Sequence, residues 1–586
     1  MLPFEGVPQN RRRRAFLSRG LWLGWLRESS SGTLFLAVAV GAVTGFAAIG
    51  FRYLITGVTW LFTGYHDYAG LGRVAWGHWP GLGVWFLLLA PVVAGAIYGP
   101  VVYRFAPEAR GHGVPEVMYA VTEQKGRIAP RVVVLKALAS ALCIGGGGSV
   151  GREGPIVQIG SAAGSTIAQV TRLDTPRVRL LVACGAAGGI SATFNAPLAG
   201  LFFAMELILR NFAVESFGAV VLSSVTASVV GRAVVGDEAF LTLPDFAVRH
   251  PAEYLLYLLL GLVVGTVGVC FSKVLYAVED FCDWIWRGPQ WARPAVGGLL
   301  LGAVLLMLPQ MYGVGYPVLE SAVEGEYVLG MLVLLLVGKM VATSLTIGIG
   351  GSGGVFAPTL FIGAMAGTAF GQIVHHLLPT VTQSPGAYGL VGMAAALGGA
   401  TRAPITAVII LFELTGEYTA ILPLMTAVAV ATGVSRLLSQ DTIYTRKLLR
   451  RGIDLEQPHG PFATVSAGDL ARAAPRPLLD TADLTTVATA LEKSALGILP
   501  VLDRDGRYRG CVSARDIAEA LDDSYQPESV AHLVKYLPAV TADATFHDTL
   551  AALSGYGGTG LPVVDPDHTK VIGWITYEDL LTVLHR

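Results

Sequence analysis

The sequence predicts an all-α polytopic membrane protein built from two matching halves, followed by a soluble α/β module. Three observations predict it. Of 586 residues, 53% are hydrophobic and only 14% are charged, against about 25% charged in soluble domains; mean hydropathy is +0.58. Charge is also uneven. Residues 1–459 carry 31 Lys/Arg and 25 Asp/Glu, whereas residues 460–586 carry 10 and 17, so the last part is acidic and charge-dense as a soluble domain is. Finally, two motifs recur in the same order at nearly the same spacing, the mark of an internal repeat.

In chain order, the basic run Arg11–Arg14 comes first. By the positive-inside rule it lies in the cytoplasm, and the apolar run after it is too long for the core of a cleavable signal peptide. Apolar runs begin near Leu34, Leu82, Phe217, Tyr254, Ala295 and Val328. Between Lys339 and Arg402 there is no Asp, Glu, Lys or Arg. A crossing needs roughly 20 apolar residues, so that stretch has room for more than one. "YTRKLLRRG" (444–452) is basic and stands just before the acidic tail, which puts both ends of the chain in the cytoplasm. Segments 1–32, 33–455, 456–475, 476–535 and 536–586 read as a cytoplasmic leader, a membrane domain, a linker and two soluble repeats. Of the five cysteines, Cys143, Cys184, Cys270 and Cys282 lie in apolar segments and read as small core hydrophobes; Cys511 lies in the tail, and no spacing pairs any of them.

The repeat is explicit. "GREGPIVQIGSAAGS" (151–165) aligns with "GVFAPTLFIGAMAGT" (354–368), matching Gly151, Pro155, Ile159, Gly160 and Gly164 to residues 203 positions later. "FNAPLAGLFFAMEL" (194–207) aligns with "TRAPITAVIILFEL" (401–414), matching Ala196, Pro197, Glu206 and Leu207 to residues 207 positions later. Repeated halves with Gly/Pro breaks at corresponding positions point to a transporter whose site lies where the breaks meet. Glycines followed by Pro in the first turn describe a helix start, and its free N–H groups favour an anion. A cation pathway would instead want carboxylates or carbonyls. "GHGVPEV" (111–117) has the same grammar, which makes three Gly-x-x-x-Pro starts. A charged residue such as Glu153 at membrane depth costs about 3 kcal/mol and marks a pathway or a paired structural site.

These loops resemble the three signatures of the CLC family of chloride channels and proton-coupled chloride transporters, usually written GSGIP, GREGP and GxFxP. They stand at Gly111–Pro115, Gly151–Pro155 and Gly354–Pro358; "FNAPLAG" (194–200) and "DTIYTRKL" (441–448) fit as well, the resemblance covering about residues 30–455. It implies the CLC fold, two antiparallel repeats of tilted and broken helices, in a homodimer with one pore per subunit. It implies Glu153 as the gate, whose carboxylate occupies an anion site and swings away when chloride arrives or a proton binds. The backbone N–H groups of Val355 and Phe356, with the adjoining Gly154 and Ala357, and the Tyr444 hydroxyl on the last membrane helix would hold the anion. Arg152 would help hold the outer site; a plain ion pair with Glu153 is the bland alternative.

Two positions depart from the family. His112 stands where a serine usually donates to the central anion. Imidazole can still donate, and it titrates near neutral pH, so His112 is expected to make conduction or selectivity pH-dependent; a helix cap turned from the pore is its structural alternative. Leu207 stands where exchangers carry the inner glutamate that passes protons to the gate. The expectation is therefore a passive, voltage- or pH-gated channel, with a proton-coupled antiporter of atypical proton route as the alternative. Glu206, whose repeat mate is Glu413, reads as structural.

The tail repeats "LPVLDRDGRYRGCVSARDIAEAL" (499–521) as "LPVVDPDHTKVIGWITYEDLLTVL" (561–584) and resembles a tandem pair of CBS domains. The resemblance implies an adenine nucleotide regulator held at Ser513, Asp516, Thr576 and Asp579; N-capping by Ser513 and Thr576 is the alternative. No other cofactor, no metal, no catalytic residue and no nucleic-acid partner is expected; the partners are a small anion, the lipid bilayer of the cell membrane and a second copy. A magnesium transporter would need pore carboxylates, and an intramembrane metalloprotease would need H-E-x-x-H, which the chain lacks.

Overall fold

The computed structural model describes residues 24–27, 29–236, 250–454, 465–494, 496–522, 529–556, 560–565 and 570–584; the run Arg11–Arg14 lies outside them. The chain divides into two compact units, Met1–Ile453 and Asp454–Arg586.

The first unit is helical because backbone groups in lipid must bond within their own segment. Its first half comprises α1 (Ser30–Thr63), α2 (Phe86–Phe105), α3 (Val114–Thr122), α4 (Arg131–Gly145), α5 (Glu153–Val170), α6 (Thr175–Phe194), α7 (Pro197–Phe203) and α8 (Val214–Val235). The second half answers in the same order: α9 (Glu253–Ile285), α10 (Arg293–Met307), α11 (Tyr316–Val323), α12 (Leu329–Gly348), α13 (Phe356–Leu377), α14 (Pro385–Thr401), α15 (Pro404–Thr415) and α16 (Ile421–Leu438). Among the described residues seven helical segments are long and apolar enough to cross a membrane. The stretch without charge between Lys339 and Arg402 holds the last part of α12, after Lys339, and all of α13 and α14.

The halves are related by a twofold axis. Gly151 and its repeat mate Gly354 exchange both backbone hydrogen bonds, each at 2.7 Å, in an antiparallel bridge. Glu206 accepts from the Ile405 and Thr406 N–H groups at 3.2 and 2.8 Å, at the start of α15. Its mate Glu413 accepts from the Leu198 and Ala199 N–H groups at 2.9 and 2.6 Å, at the start of α7. Residue i touching the mate of j while j touches the mate of i is the signature of an isologous contact, so the repeats are antiparallel. Small residues set the helix spacing. A Cβ on Gly160 would meet the Gly185 carbonyl oxygen at 2.2 Å, and one on its mate Gly363 would meet the Gly392 carbonyl oxygen at 2.5 Å.

Two sequence expectations need correction. Cys270 is exposed on α9, whereas Cys143, Cys184, Cys282 and Cys511 are buried; the α9 face that carries Cys270 also exposes Leu259, Leu262 and Val263, the apolar surface a lipid-facing helix presents. The last helix of the unit, α17, spans only Thr445–Leu449, too short to cross, and Tyr444 precedes it as its N-cap residue.

The second unit holds two three-stranded sheets of identical topology. In the first, β1 (Leu478–Leu479) runs parallel to β2 (Ile498–Leu502), which pairs antiparallel with β3 (Tyr508–Ser513). In the second, β4 (Val540–Thr541), β5 (Gly560–Val564) and β6 (Val571–Thr576) repeat that order. The repeats are cross-linked by their leading segments. Arg472 pairs backbone to backbone with Trp574 of β6, and Lys535 pairs likewise with Cys511 of β3.

Candidate functional site

The Gly-rich breaks meet at the twofold axis. A Cβ on Gly154 would lie 2.0 Å from the His112 carbonyl oxygen and 2.9 Å from Gly354 Cα, and one on Gly113 would lie 2.4 Å from the Gly154 carbonyl oxygen. Gly111 bridges to Ser352, its N–H donating to the Gly351 carbonyl at 3.1 Å. The three loops read from the sequence are therefore in backbone contact, and the starts of α3, α5 and α13 gather at one place. The first N–H groups of each helix have no acceptor in their own helix, so the place is electropositive.

A fourth loop joins them. "GVGYP" (313–317) starts α11 and is the repeat mate of "GHGVP" (111–115). Both loops need left-handed backbone at the same two positions, with φ of +82° and +87° at Gly111 and Gly113, and +59° and +89° at Gly313 and Gly315. Each loop is tied down by a buried lysine. Lys136 donates to the Ala109 and Gly111 carbonyls at 2.8 and 2.9 Å. Lys339, 203 positions on, donates to the Gly313 and Val314 carbonyls at 3.1 and 2.9 Å and sits over the Phe361 ring at 5.1 Å. Sequence reasoning missed this loop and both lysines. The signal was present as a further Gly-x-Gly-x-Pro at nearly the repeat offset.

Glu153 is buried at the first turn of α5. Its Oε1 accepts a hydrogen bond from the Tyr316 hydroxyl of the fourth loop. Its Oε2 lies beside Gly151, and the Ala357 backbone N–H faces the carboxylate. Val355, Phe356, Ala357 and Tyr444 are all buried around it, and Phe356 packs against Phe194 at 5.7 Å. The Arg152 guanidinium stacks over the Tyr316 ring at 5.4 Å and lines a cavity of about 520 Å³ with Arg52, His66, Asp67 and Tyr316. His112 is buried with both ring nitrogens unpartnered among the described residues, 6.1 Å from the Tyr276 ring. Lys136 and Lys447 both reach the adjoining Gly111, and Lys447 also pairs with Glu116 at 3.8 Å. Leu207 is buried in the single π-helical turn, Ala204–Leu209, that follows α7.

In the second unit, Ser513 and Asp516 form a capping pair at the start of α18 (Ala514–Asp522): Asp516 accepts from the Ser513 N–H at 2.9 Å and from its hydroxyl at 2.5 Å. Thr576 and Asp579 repeat this at 2.9 and 2.7 Å at the start of α19 (Tyr577–Leu584). Both aspartates have a further partner. The Lys535 ammonium donates to Asp516 at 2.5 Å, and Arg472 pairs with Asp579. Burial works to raise the Asp516 carboxyl, but the Lys535 and Ser513 hydrogen bonds hold it below the ordinary aspartate value. A cavity of about 270 Å³ lined by Ser513, Asp516, Lys535 and Tyr556 adjoins this pair.

A twofold-repeated helical membrane unit whose broken helices aim their N-termini at one buried site is an anion transporter by architecture. The chain belongs to the voltage gated chloride channel (CLC) family, which residues 94–436 match; residues 467–523 and 530–586 each match the CBS domain. It is 35% identical over 450 residues to the H(+)/Cl(−) exchange transporter ClcA of Vibrio campbellii, covering 74% of this chain and 92% of that one. It is 33% identical over 425 residues to a ClcB-like chloride channel protein of Ralstonia nicotianae, covering 72% and 97%. Among solved structures it resembles a slow cyanobacterial Cl−/H+ antiporter, with a TM-score of 0.63, 27% identity and coverage of 72% and 97%.

Proposed function

We propose that the protein exchanges protons for chloride, or a related small monovalent anion, through one pore per subunit, with Glu153 as the gate. The observation that carries this is the Glu153 carboxylate buried among four helix starts and held by a hydroxyl. A carboxylate placed where an anion binds excludes chloride by like charge. Protonation neutralises it and lets it leave, so proton and anion occupancy are linked at one side chain.

The passive channel expected from Leu207 is set aside. The ClcA relative named as an exchanger matches over 92% of its length, and the cyanobacterial neighbour is an antiporter; both weigh more than one apolar position. Since Leu207 carries no proton and Glu206 is tied to the start of α15, the inner proton route runs through water or His112. In liposomes with symmetric chloride and a proton gradient, the reversal potential is expected to move away from zero. A potential fixed at zero would return the channel reading.

Val355, Phe356, Tyr444 and His112 hold the anion, and Arg152 the outer position. The protein is a homodimer in the cell membrane with both ends cytoplasmic, which light scattering of the detergent-solubilised chain and protease access to each end would check. The CBS pair binds an adenine nucleotide at Asp516 and Asp579, where the ribose displaces Lys535 and Arg472. Each pair joins a buried aspartate to a largely exposed cation, so it is worth about 1 kcal/mol, the upper end for exposed pairs. The double variant Lys535→Ala, Arg472→Ala is therefore expected to bind ATP about 2- to 5-fold more tightly per site in titration calorimetry of the whole chain. Weaker binding would make the two cations phosphate ligands instead.

A further inference from the structure

We propose that Tyr316 is the latch of the Glu153 gate: its hydroxyl holds the carboxylate in the anion path until a proton or an incoming anion takes over. The proposal rests on the gate reading above and names the group that sets how readily the gate leaves.

Position supports it first. Tyr316 opens α11 directly after the fourth loop, so a side chain from the second half of the repeat reaches the acid of the first half. The twofold makes the latch one-sided. The repeat mate of Tyr316 is Val114, which has no donor, and the mate of Glu153 is Phe356, which has no acid. The architecture is symmetric, but this donor and acceptor occur once, on one face of the axis.

Rigidity supports it next. A latch acts only if its hydroxyl is held in place. The Tyr316 ring lies under the Arg152 guanidinium, and the two carbonyls before it in the loop are bound by Lys339. Lys339 is fully buried and seated on the Phe361 ring, and Gly315 lies close against both. The hydroxyl is therefore placed by packing on three sides.

The third support is space. The cavity of about 520 Å³ is lined by Tyr316, Arg152, Arg52, His66 and Asp67, so a released carboxylate has a polar chamber with two guanidinium groups to enter. Beside the Glu153 and Ala357 backbone N–H groups that face the carboxylate, the Tyr316 hydroxyl is the one side-chain donor found on it among the described residues.

Tyr316→Phe removes only the hydroxyl and keeps the ring on Arg152. A hydrogen bond to a charged group is strong enough that chloride turnover in liposomes is expected to rise about tenfold. In a Glu153→Ala background the same substitution is expected to change nothing, because the two groups act as a unit. Tyr316→Ser, whose hydroxyl is too short to reach, is expected to behave like Tyr316→Phe and serves if that variant does not fold. Unchanged or slower turnover in the wild-type background overturns the latch. So does an equal change in both backgrounds, which marks a general effect on the pore. If Glu153→Ala alone leaves proton coupling intact, the gate reading fails and the latch falls with it; if coupling is lost but Tyr316→Phe is silent, the latch alone fails.

Discussion

Glu153→Ala is expected to uncouple the two ions: proton flux falls by about 10²-fold, the usual loss on removing a proton-carrying group, while chloride flux continues. The reasoning is geometric. The carboxylate sits buried where the starts of α5 and α13 meet, with Gly151 and Ala357 against it. Alanine leaves the helix starts and their N–H groups in place, so the anion-binding field survives. It also empties the position that the carboxylate holds against chloride. No carboxylate then stands among the helix starts, and neither the Tyr316 phenol nor the Arg152 guanidinium cycles a proton near neutral pH. Glu153→Gln is expected to share the proton defect, because the amide does not titrate. A chloride electrode and an internal pH dye in the same liposomes read both fluxes. Persistent proton flux in Glu153→Ala would place the proton elsewhere and remove Glu153 from the coupling step.

Gly154→Ala is expected to abolish transport by destabilising the meeting point of the loops. The added methyl would lie 2.0 Å from the His112 carbonyl oxygen, 2.9 Å from Gly354 Cα and 3.2 Å from His112 C. All three are backbone atoms, so no flexible side chain can yield. Overpacking costs about 1–3 kcal/mol, and a site closed on two sides by backbone belongs at the upper end. The displacement also parts the first and third loops from the second, so flux is expected to fall more than the folded fraction does. Gly433→Ala is the control. Gly433 is exposed within α16 and a Cβ there would meet nothing within 4 Å, so this change is expected to be neutral or to stabilise by up to about 1 kcal/mol. Thermal unfolding in detergent, read beside liposome flux, separates stability from transport. A Gly154→Ala protein with wild-type melting and flux would show that the loops are not packed as described.

Much of the membrane unit was legible in the chain. Hydropathy located most of the long helices, because spanning segments must be apolar and internally bonded. Proline and glycine marked three helix starts, because only those residues suit a first turn and a close backbone approach. The mates Glu206 and Glu413 were read as structural from the repeat alone, and the twofold caps at Ile405, Thr406, Leu198 and Ala199 give the reason. Other features were hidden for identifiable reasons. Tyr316 stands 163 residues from Glu153, and no local pattern joins a phenol to an acid at that separation. Lys339 looked like the edge of a spanning segment, yet it is fully buried, since two loop carbonyls satisfy its ammonium. The CBS aspartates read as nucleotide ligands in sequence, where a strand-to-helix turn shows its acid but not the cation, Lys535 or Arg472, that the fold brings to it.

By itself the sequence determined the class of protein, the two halves, the loops and the acid between them. These follow from local chemistry and periodicity, which neighbouring residues encode. Only the tertiary structure decided what the acid touches: a latching hydroxyl from a fourth loop, which a buried lysine ties down. Hydrogen bonds and ion pairs in a buried site depend on which side chains the fold brings within about 3 Å, and the antiparallel repeat brings Tyr316 of the second half to Glu153 of the first.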